Sequence, residues 1–313
     1  MLVRPQQLRT LFVERLTARF AANVPDFVAL REMVEARGGR FHNDHGAIRT
    51  ADPAVAALVQ RAARVIGLQR ELDYDFPEKK LVSFDLQVVG EDASQFKIFV
   101  SQVDLDAFPA EVVALIEEDT ALQAAAVDHR DFIALIEAFE ANGGLESDQA
   151  DAFLDHFVDM LLRRNGPPIR RRTLEAVGAF SGQAASALAL GPDLNHVTID
   201  VYAAGYDDIE AMAGEMSERG FAMLKNIQGA LGGPLRQTAT MAATTDTPVL
   251  EDDGTVGSAP VEKQFVEIIE RNQAITSDGA RRWTQAGQPL IYRNFLAANA
   301  NNIFDAASMT RAS

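Results

Sequence analysis

The sequence predicts an α+β protein. A curved mixed sheet made of two βαβββ-like units surrounds a central site, and an acidic helical insert separates the units. Three observations carry this. Strand-like runs before residue 104 and after residue 190 follow one order: strand, helix, then strands. The stretch between them places apolar residues at helical spacing. The acidity is concentrated there too. Residues 104–159 hold 15 Asp and Glu against one basic residue, Arg130, and so carry -14 of the net charge of -16. The remainder, with 30 acidic and 28 basic residues, is nearly neutral. The expected divisions are 1–103 for the N-terminal helices and first unit, 104–190 for the insert, and 191–313 for the second unit and C-terminal segment. All belong to one compact domain.

The elements follow in order. Met1 to Phe20 reads as an amphipathic helix, with Leu8, Leu11, Phe12, Leu16 and Phe20 at helical spacing. Arg40–Thr50 is a strand. Pro53–Ile66 is a helix with Val55, Leu58, Val59, Ala62, Val65 and Ile66 on one side. Lys80–Val89 and Phe96–Val103 alternate or run apolar like strands. In the insert, Val112 to Leu122 forms one amphipathic run, and Phe132 to Phe139 a second, which Asn142-Gly143-Gly144 ends. Ser147 is placed to cap a third helix, and a fourth, rich in Ala, runs from about Arg171 to Leu190. Asn195–Tyr202 is then a strand and Tyr206–Glu218 a helix. Gly233–Ala243, Thr247–Leu250 and Glu262–Arg271 are further strands.

Composition excludes several function classes. With no cysteine there is no disulfide, no thiolate metal site and no thiol nucleophile. A net charge of -16 argues against a nucleic-acid partner, since phosphate neutralisation needs clustered Lys and Arg. No apolar stretch approaches membrane-spanning length, and the N-terminus lacks the apolar core of a signal peptide. A soluble, cytoplasmic protein is expected. The acidic run reads as a solvated outer face; the alternative is a docking surface for a basic partner. The Gly-rich piece 229–233 is no phosphate loop, and no G-x-S-x-G elbow appears.

Chemistry rests on few residues. Of five histidines, His129 and His156 lie in the acidic helices and read as structural. His42, His45 and His196 lie in or at the start of strands. Because strand side chains alternate, His45 and Arg49 share a face with Ala47 between them, whereas His42 points the other way. In the strand from Asn195, the apolar Val197, Ile199 and Val201 face one side and His196 and Thr198 the other. Glu267 shares a face with Phe265 and Ile269, where a carboxylate needs a partner. Two strand histidines and such a carboxylate match the 2-His-1-carboxylate set of non-haem Fe(II). Spacing alone equally allows core histidines bonded to neighbours and a Glu paired with Arg.

The same residues carry a resemblance. Asp44-His45-Gly46-Ala47-Ile48-Arg49-Thr50 resembles the "DHxAxRT" motif of the 2-oxoadipate dioxygenase/decarboxylase (hydroxyglutarate synthase) family. Residues 74–81 resemble its "YxFPxKKL", and residues 98–102 its "IFxSEL", with Gln102 where Glu is usual. Asn195-His196-Val197-Thr198 matches "NHxT", residues 235–240 resemble "LxRQxST", and residues 265–271 match "FxEIxxR". Their shared order spans nearly all of the chain outside the acidic insert. Better-known members are longer, so the chain reads as a short form.

The resemblance implies a fold like that of the vicinal oxygen chelate superfamily, which suits the two units. It implies Fe(II) held by His45, His196 and Glu267, with Arg49 binding a substrate carboxylate. The implied partners are a small 2-oxo dicarboxylic acid and O2, with neither nucleic acid nor membrane. The implied reaction is oxidative decarboxylation followed by hydroxylation of the same molecule, 2-oxoadipate giving 2-hydroxyglutarate and CO2 in lysine catabolism. Gln237 and Thr238 are candidate polar lining, with core hydrogen bonding as the alternative. Tyr292 and Arg293 either close the site or lie at the surface. The other function classes are a Zn- or Ni-dependent lyase, isomerase or hydrolase on the same fold, and a non-catalytic binding protein.

Overall fold

The structure, a computed structural model, describes residues 2–90 and 92–299. Two helices, α1 (Pro5–Ala21) and α2 (Pro25–Ala36), lead into β1 (Asn43–Thr50), α3 (Pro53–Val65), β2 (Gln69–Phe76), β3 (Leu81–Gln87) and β4 (Lys97–Val103). The insert supplies α4 (Ala110–Ala125), α5 (Arg130–Asn142), α6 (Ser147–Met160), β5 (Ile169–Arg170), α7 (Arg171–Gly178) and α8 (Gly182–Leu190). The second unit comprises β6 (Asp193–Asp200), α9 (Ile209–Glu218), β7 (Leu235–Ala239), β8 (Thr244–Leu250), β9 (Val256–Glu262) and β10 (Phe265–Arg271).

Seven strands form one mixed sheet in the order β2-β3-β4-β1-β6-β10-β7. The units meet where β1 and β6 run antiparallel, and each unit begins with a parallel pair, β1 with β4 and β6 with β10. The first unit is βαβββ as expected. The second keeps the order but spends its strands differently. Residues 222–228 take the place of a regular second strand and pair with β7 and the residue after it through isolated bridges, Met223–Thr240 and Gln228–Gln237. The hairpin β8–β9 leaves the sheet and joins β5 in a separate three-stranded sheet.

The sheet separates two apolar layers. On the outer face lie α1, α2, α3, α9 and the insert helices α5 and α6. There Leu8, Phe12, Leu16 and Phe20 recur every four residues along α1 and are all buried. Phe12 stacks on Phe157 of α6 at 4.7 Å. Ile48, Val197, Ile199, Val266 and Ile268 of the central strands meet this layer. On the other face, Ala47, Phe99, Leu174, Ala184 and Leu188 belong to a second core that takes in α4, α7, α8 and the small sheet. The insert therefore packs on both sides of the sheet. Its acidic outer residues meet arginines of the first unit: Asp155 pairs with Arg15 and Asp159 with Arg19, both at 2.8 Å, and Glu140 pairs with Arg61 at 2.7 Å. Among the described residues no helix is long and apolar enough to cross a membrane.

Several local details depart from the sequence pattern. The third insert helix is preceded by Glu146, not capped by Ser147; the Glu146 N–H donates to the Gln149 side chain at 3.1 Å. The Ala-rich run breaks at Ala179–Ser181, and the Ser181 hydroxyl caps α8 by accepting from the Ala184 N–H at 3.2 Å. Beyond α8, Gly191 has φ +76°, and a Cβ there would lie 2.5 Å from Arg164 Cα, so the turn into β6 requires glycine. β2 is an exposed, polar edge strand, which has no apolar alternation to reveal it.

Candidate metal centre

The three adjacent central strands β1, β6 and β10 bring His45, His196 and Glu267 together. One ligand atom from each lies within 4.8 Å of the others, and all three residues are buried. Across the sheet His45 is level with Thr198, which is level with Glu267. Alternation keeps Val197, Ile268 and Ile48 on the helix-covered face and the three candidate ligands on the other.

Two bulges aim the histidines. The β1–β6 register shifts between Asn43 and His45 and again between Ala47 and Ile48, leaving Asp44 on β1 and Asn195 on β6 without a cross-strand partner. Consecutive strand residues ordinarily face opposite sides. At each bulge they instead meet: His45 Nδ1 lies 2.8 Å from Asp44 Oδ1, and His196 Nδ1 lies 3.0 Å from Asn195 Oδ1. An oxygen at Nδ1 requires the proton there and leaves Nε2 as the lone-pair atom. Both Nε2 atoms face Glu267, at 3.8 Å from Oε1 for His45 and 3.4 Å from Oε2 for His196. The Thr198 hydroxyl donates to His45 Nε2 at 3.1 Å.

Asp44 is the centre of a buried charge cluster. Arg271 donates to it through Nε at 2.7 Å and a terminal nitrogen at 2.8 Å, and Lys97 Nζ lies 3.2 Å away. Burial alone would raise the Asp44 carboxyl, but Arg271, Lys97 and the His45 hydrogen bond hold it well below its usual range. Burial lowers the Lys97 ammonium to about 8 and His45 to about 4, and lowers His196 well below its ordinary value. Both histidines are therefore neutral, the form that ligates metal. Burial raises Glu267 well above its usual range, with Asp44 adding to it. Glu267 Oε1 is buried and has no hydrogen-bond partner. A buried carboxylate with one orphaned oxygen, its two oxygens each facing an imidazole lone pair, fits a divalent cation, whose charge would favour the ionised carboxylate. Nitrogen and oxygen donors of this kind suit iron as well as zinc or nickel.

The cavity beside the triad is lined by Ala47, Arg49, Phe99, Ser101, Asn195 and Gln237 along with the three ligands. Arg49 is buried, which brings its guanidinium down to about 10, and it remains cationic at neutral pH. Gln237 reaches this cavity. Thr238 alternates to the opposite face, where its hydroxyl donates to the Asn226 carbonyl at 3.3 Å. Tyr292 donates to the Phe295 carbonyl at 3.2 Å, and Arg293 pairs outward with Glu71 at 2.9 Å. From this C-terminal stretch the aromatic residue that meets the site is instead Phe295, with ring centroids 4.8 Å from His45 and 4.9 Å from Phe99. Arg271 anchors this stretch by donating to the carbonyls of Tyr292 and Asn294 at 3.1 and 3.0 Å. His42 bonds the Ser94 carbonyl at 2.9 Å, and His129 bonds His156 at 3.0 Å, both outside the triad.

Sequence reasoning assigned no role to Asp44, Asn195, Arg271, Lys97 or Phe295. A signal existed for the first two: an oxygen-bearing residue stands immediately before each strand histidine. Arg271 lies four residues after Glu267, hence on the same strand face. Phe295 leaves no local signal.

Comparison with known proteins places this geometry. The profile of the 2-oxoadipate dioxygenase/decarboxylase family matches residues 12–289. A 2-oxoadipate dioxygenase/decarboxylase of Mycobacterium tuberculosis is 27% identical over 368 residues, covering 95% of this chain and 86% of the relative. The crystal structure of a glyoxalase superfamily protein from Ralstonia eutropha superposes with TM-score 0.78 at 21% identity, covering 87% of this chain and 85% of the other. Hydroxyglutarate synthase from Oryza sativa, solved in complex with 2-oxoadipate, superposes with TM-score 0.70 at 18% identity, covering 97% and 93%. The glyoxalase-like likeness is one of fold, and it agrees with the vicinal-oxygen-chelate-like sheet expected from the sequence.

Proposed function

The chain belongs to the 2-oxoadipate dioxygenase/decarboxylase family, and on that premise we propose that it converts 2-oxoadipate and O2 to 2-hydroxyglutarate and CO2 with Fe(II) as cofactor, a cytoplasmic step of lysine catabolism. The atoms balance: one oxygen atom completes the new carboxylate and the other becomes the hydroxyl. His45, His196 and Glu267 would hold the metal. Bound there, Fe(II) supplies the redox chemistry that activates O2.

The observation that carries this reading is the buried triad with its orphaned Glu267 Oε1, sharing one cavity with the cationic Arg49. The protein's own residues orient and exclude. Asp44 and Asn195 set the tautomers of the two histidines, so both carry the lone pair on Nε2, and the Thr198 hydroxyl that donates to His45 Nε2 would turn away from a bound metal. Arg49 offers a planar, two-pronged donor that matches a carboxylate, and its burial strengthens that pairing. Gln237 supplies a neutral polar group to the same cavity. Phe99 and Phe295 keep bulk water from the His45 side.

The test is oxygen uptake by protein loaded with Fe(II) and given 2-oxoadipate, with 2-hydroxyglutarate identified by mass spectrometry. The wild type consumes oxygen and His196→Ala does not. No uptake with any dicarboxylic 2-oxo acid refutes the proposal.

A further inference from the structure

A second, smaller cavity adjoins the metal cavity and shares Arg49 and Asn195 with it. Its other polar lining comes from Ser186 of α8, Asp193 of β6 and Lys263, just before β10. Ser186 is the one hydroxyl in the otherwise apolar run Ala184–Leu190, whose small side chains let α8 lie close against β1 and β4. It is 3% exposed, and its Oγ has no hydrogen-bond partner. A buried, unpartnered hydroxyl costs stability in the unliganded protein. Its position on the wall of a cavity with two cations gives that hydroxyl something to bind.

We propose that Ser186 and Lys263, together with Arg49, form a subsite for the distal carboxylate of the oxo acid whose other end meets the metal. This deepens the proposed function and rests on it. A carboxylate is the fitting class: it accepts the Ser186 hydroxyl, pairs with Arg49 through two oxygens, and balances the charge of Lys263. Asp193 does not forbid an anion. It is the cross-strand partner of Arg49, its Oδ1 accepts from Gln264 at 3.4 Å, and its Oδ2 has no partner. Burial pushes its carboxyl up to about 7, against the opposing effects of Lys263 and Arg49. Protonated, it donates to the incoming carboxylate; ionised, it leaves the two cations one charge in excess.

A groove of about 400 Å³ between α3 and the insert shares Ala187 and Gly191 with this cavity. The subsite cavity therefore borders both that groove and the metal cavity.

The test is anaerobic calorimetry on Fe(II)-loaded protein with two probes of equal chain length, 2-oxoadipate and 2-oxohexanoate, which lacks the distal carboxylate. Ser186→Ala and Lys263→Met should each weaken 2-oxoadipate about tenfold or more while leaving 2-oxohexanoate within about twofold. Metal-free Ser186→Ala should melt no lower than wild type. Variants that bind 2-oxoadipate as wild type does, or that lose both probes equally, overturn the subsite while the metal reading stands. A wild type that binds neither probe overturns the functional reading and the subsite with it.

Discussion

Replacing Asp44 with Asn should damage the fold and the metal site together. Asp44 is 1% exposed and is the shared counterion of Arg271 and Lys97, which are 3% and 1% exposed. Asn removes the negative charge and leaves two buried cations facing each other. Breaking a buried ion pair from one side costs about 3–5 kcal/mol. That is a large share of the roughly 5–15 kcal/mol that holds a typical domain. His45 also loses the charged acceptor at 2.8 Å that sets its tautomer, and loss of such a partner typically costs about 10–100-fold in metal affinity. The assay is urea unfolding of metal-free protein, followed by Fe(II) titration of the folded variant. The double variant Asp44→Asn/Lys97→Met removes one orphaned cation and should recover at least about 1 kcal/mol. Asp44→Asn protein within about 1 kcal/mol of wild type would refute the reasoning, because the carboxylate would not then be compensating the cations.

Two further outcomes follow from the buried acids. Glu267→Gln keeps the shape and removes a carboxyl that burial holds well above its usual range. The metal-free variant should be at least as stable as wild type at pH 8, while metal affinity falls beyond the roughly 10–100-fold expected of an outer partner; unchanged Fe(II) binding would exclude Glu267 as a ligand. Asp193 sits near 7 when folded against 3.8 ordinarily, so between these values the folded state keeps a proton that the unfolded state has released. Wild-type stability should therefore fall by about 1.4 kcal/mol per pH unit from this group as pH rises across that window. Asp193→Asn should flatten that part of the urea-midpoint profile, and an identical slope in the two proteins would count against a buried, proton-holding Asp193.

Much of the site was legible because it depends on local periodicity. Alternation put His45 with Arg49, and His196 away from Val197 and Ile199, and the sheet keeps both arrangements. The illegible parts depend on what lies across the chain. β2 is polar because it is an exposed edge, so no apolar pattern marks it. Thr247–Leu250 reads as one more strand of the second unit and β9 is not read at all, yet β5, about 80 residues earlier, draws both into another sheet. Thr238 stands beside Gln237 in sequence and on the opposite face in space, so only one of the two reaches the cavity.

The sequence by itself determined that the metal-binding candidates had to be nitrogen and oxygen donors, because it contains no cysteine and few histidines. It also determined which strand faces carried them and concentrated the net negative charge in one insert. Tertiary structure decided how those donors became a site. The bulges at Asp44 and Asn195 exist only where β1 meets β6, and they turn two adjacent residue pairs into oriented ligands. Arg271 reaches Asp44 across 227 residues, and Phe295 reaches His45 across a similar span. Periodicity records which way a side chain faces relative to its neighbours in the chain. It carries no record of register between distant strands, and here register brings the ligands, the counterions and the unpartnered Ser186 to one place.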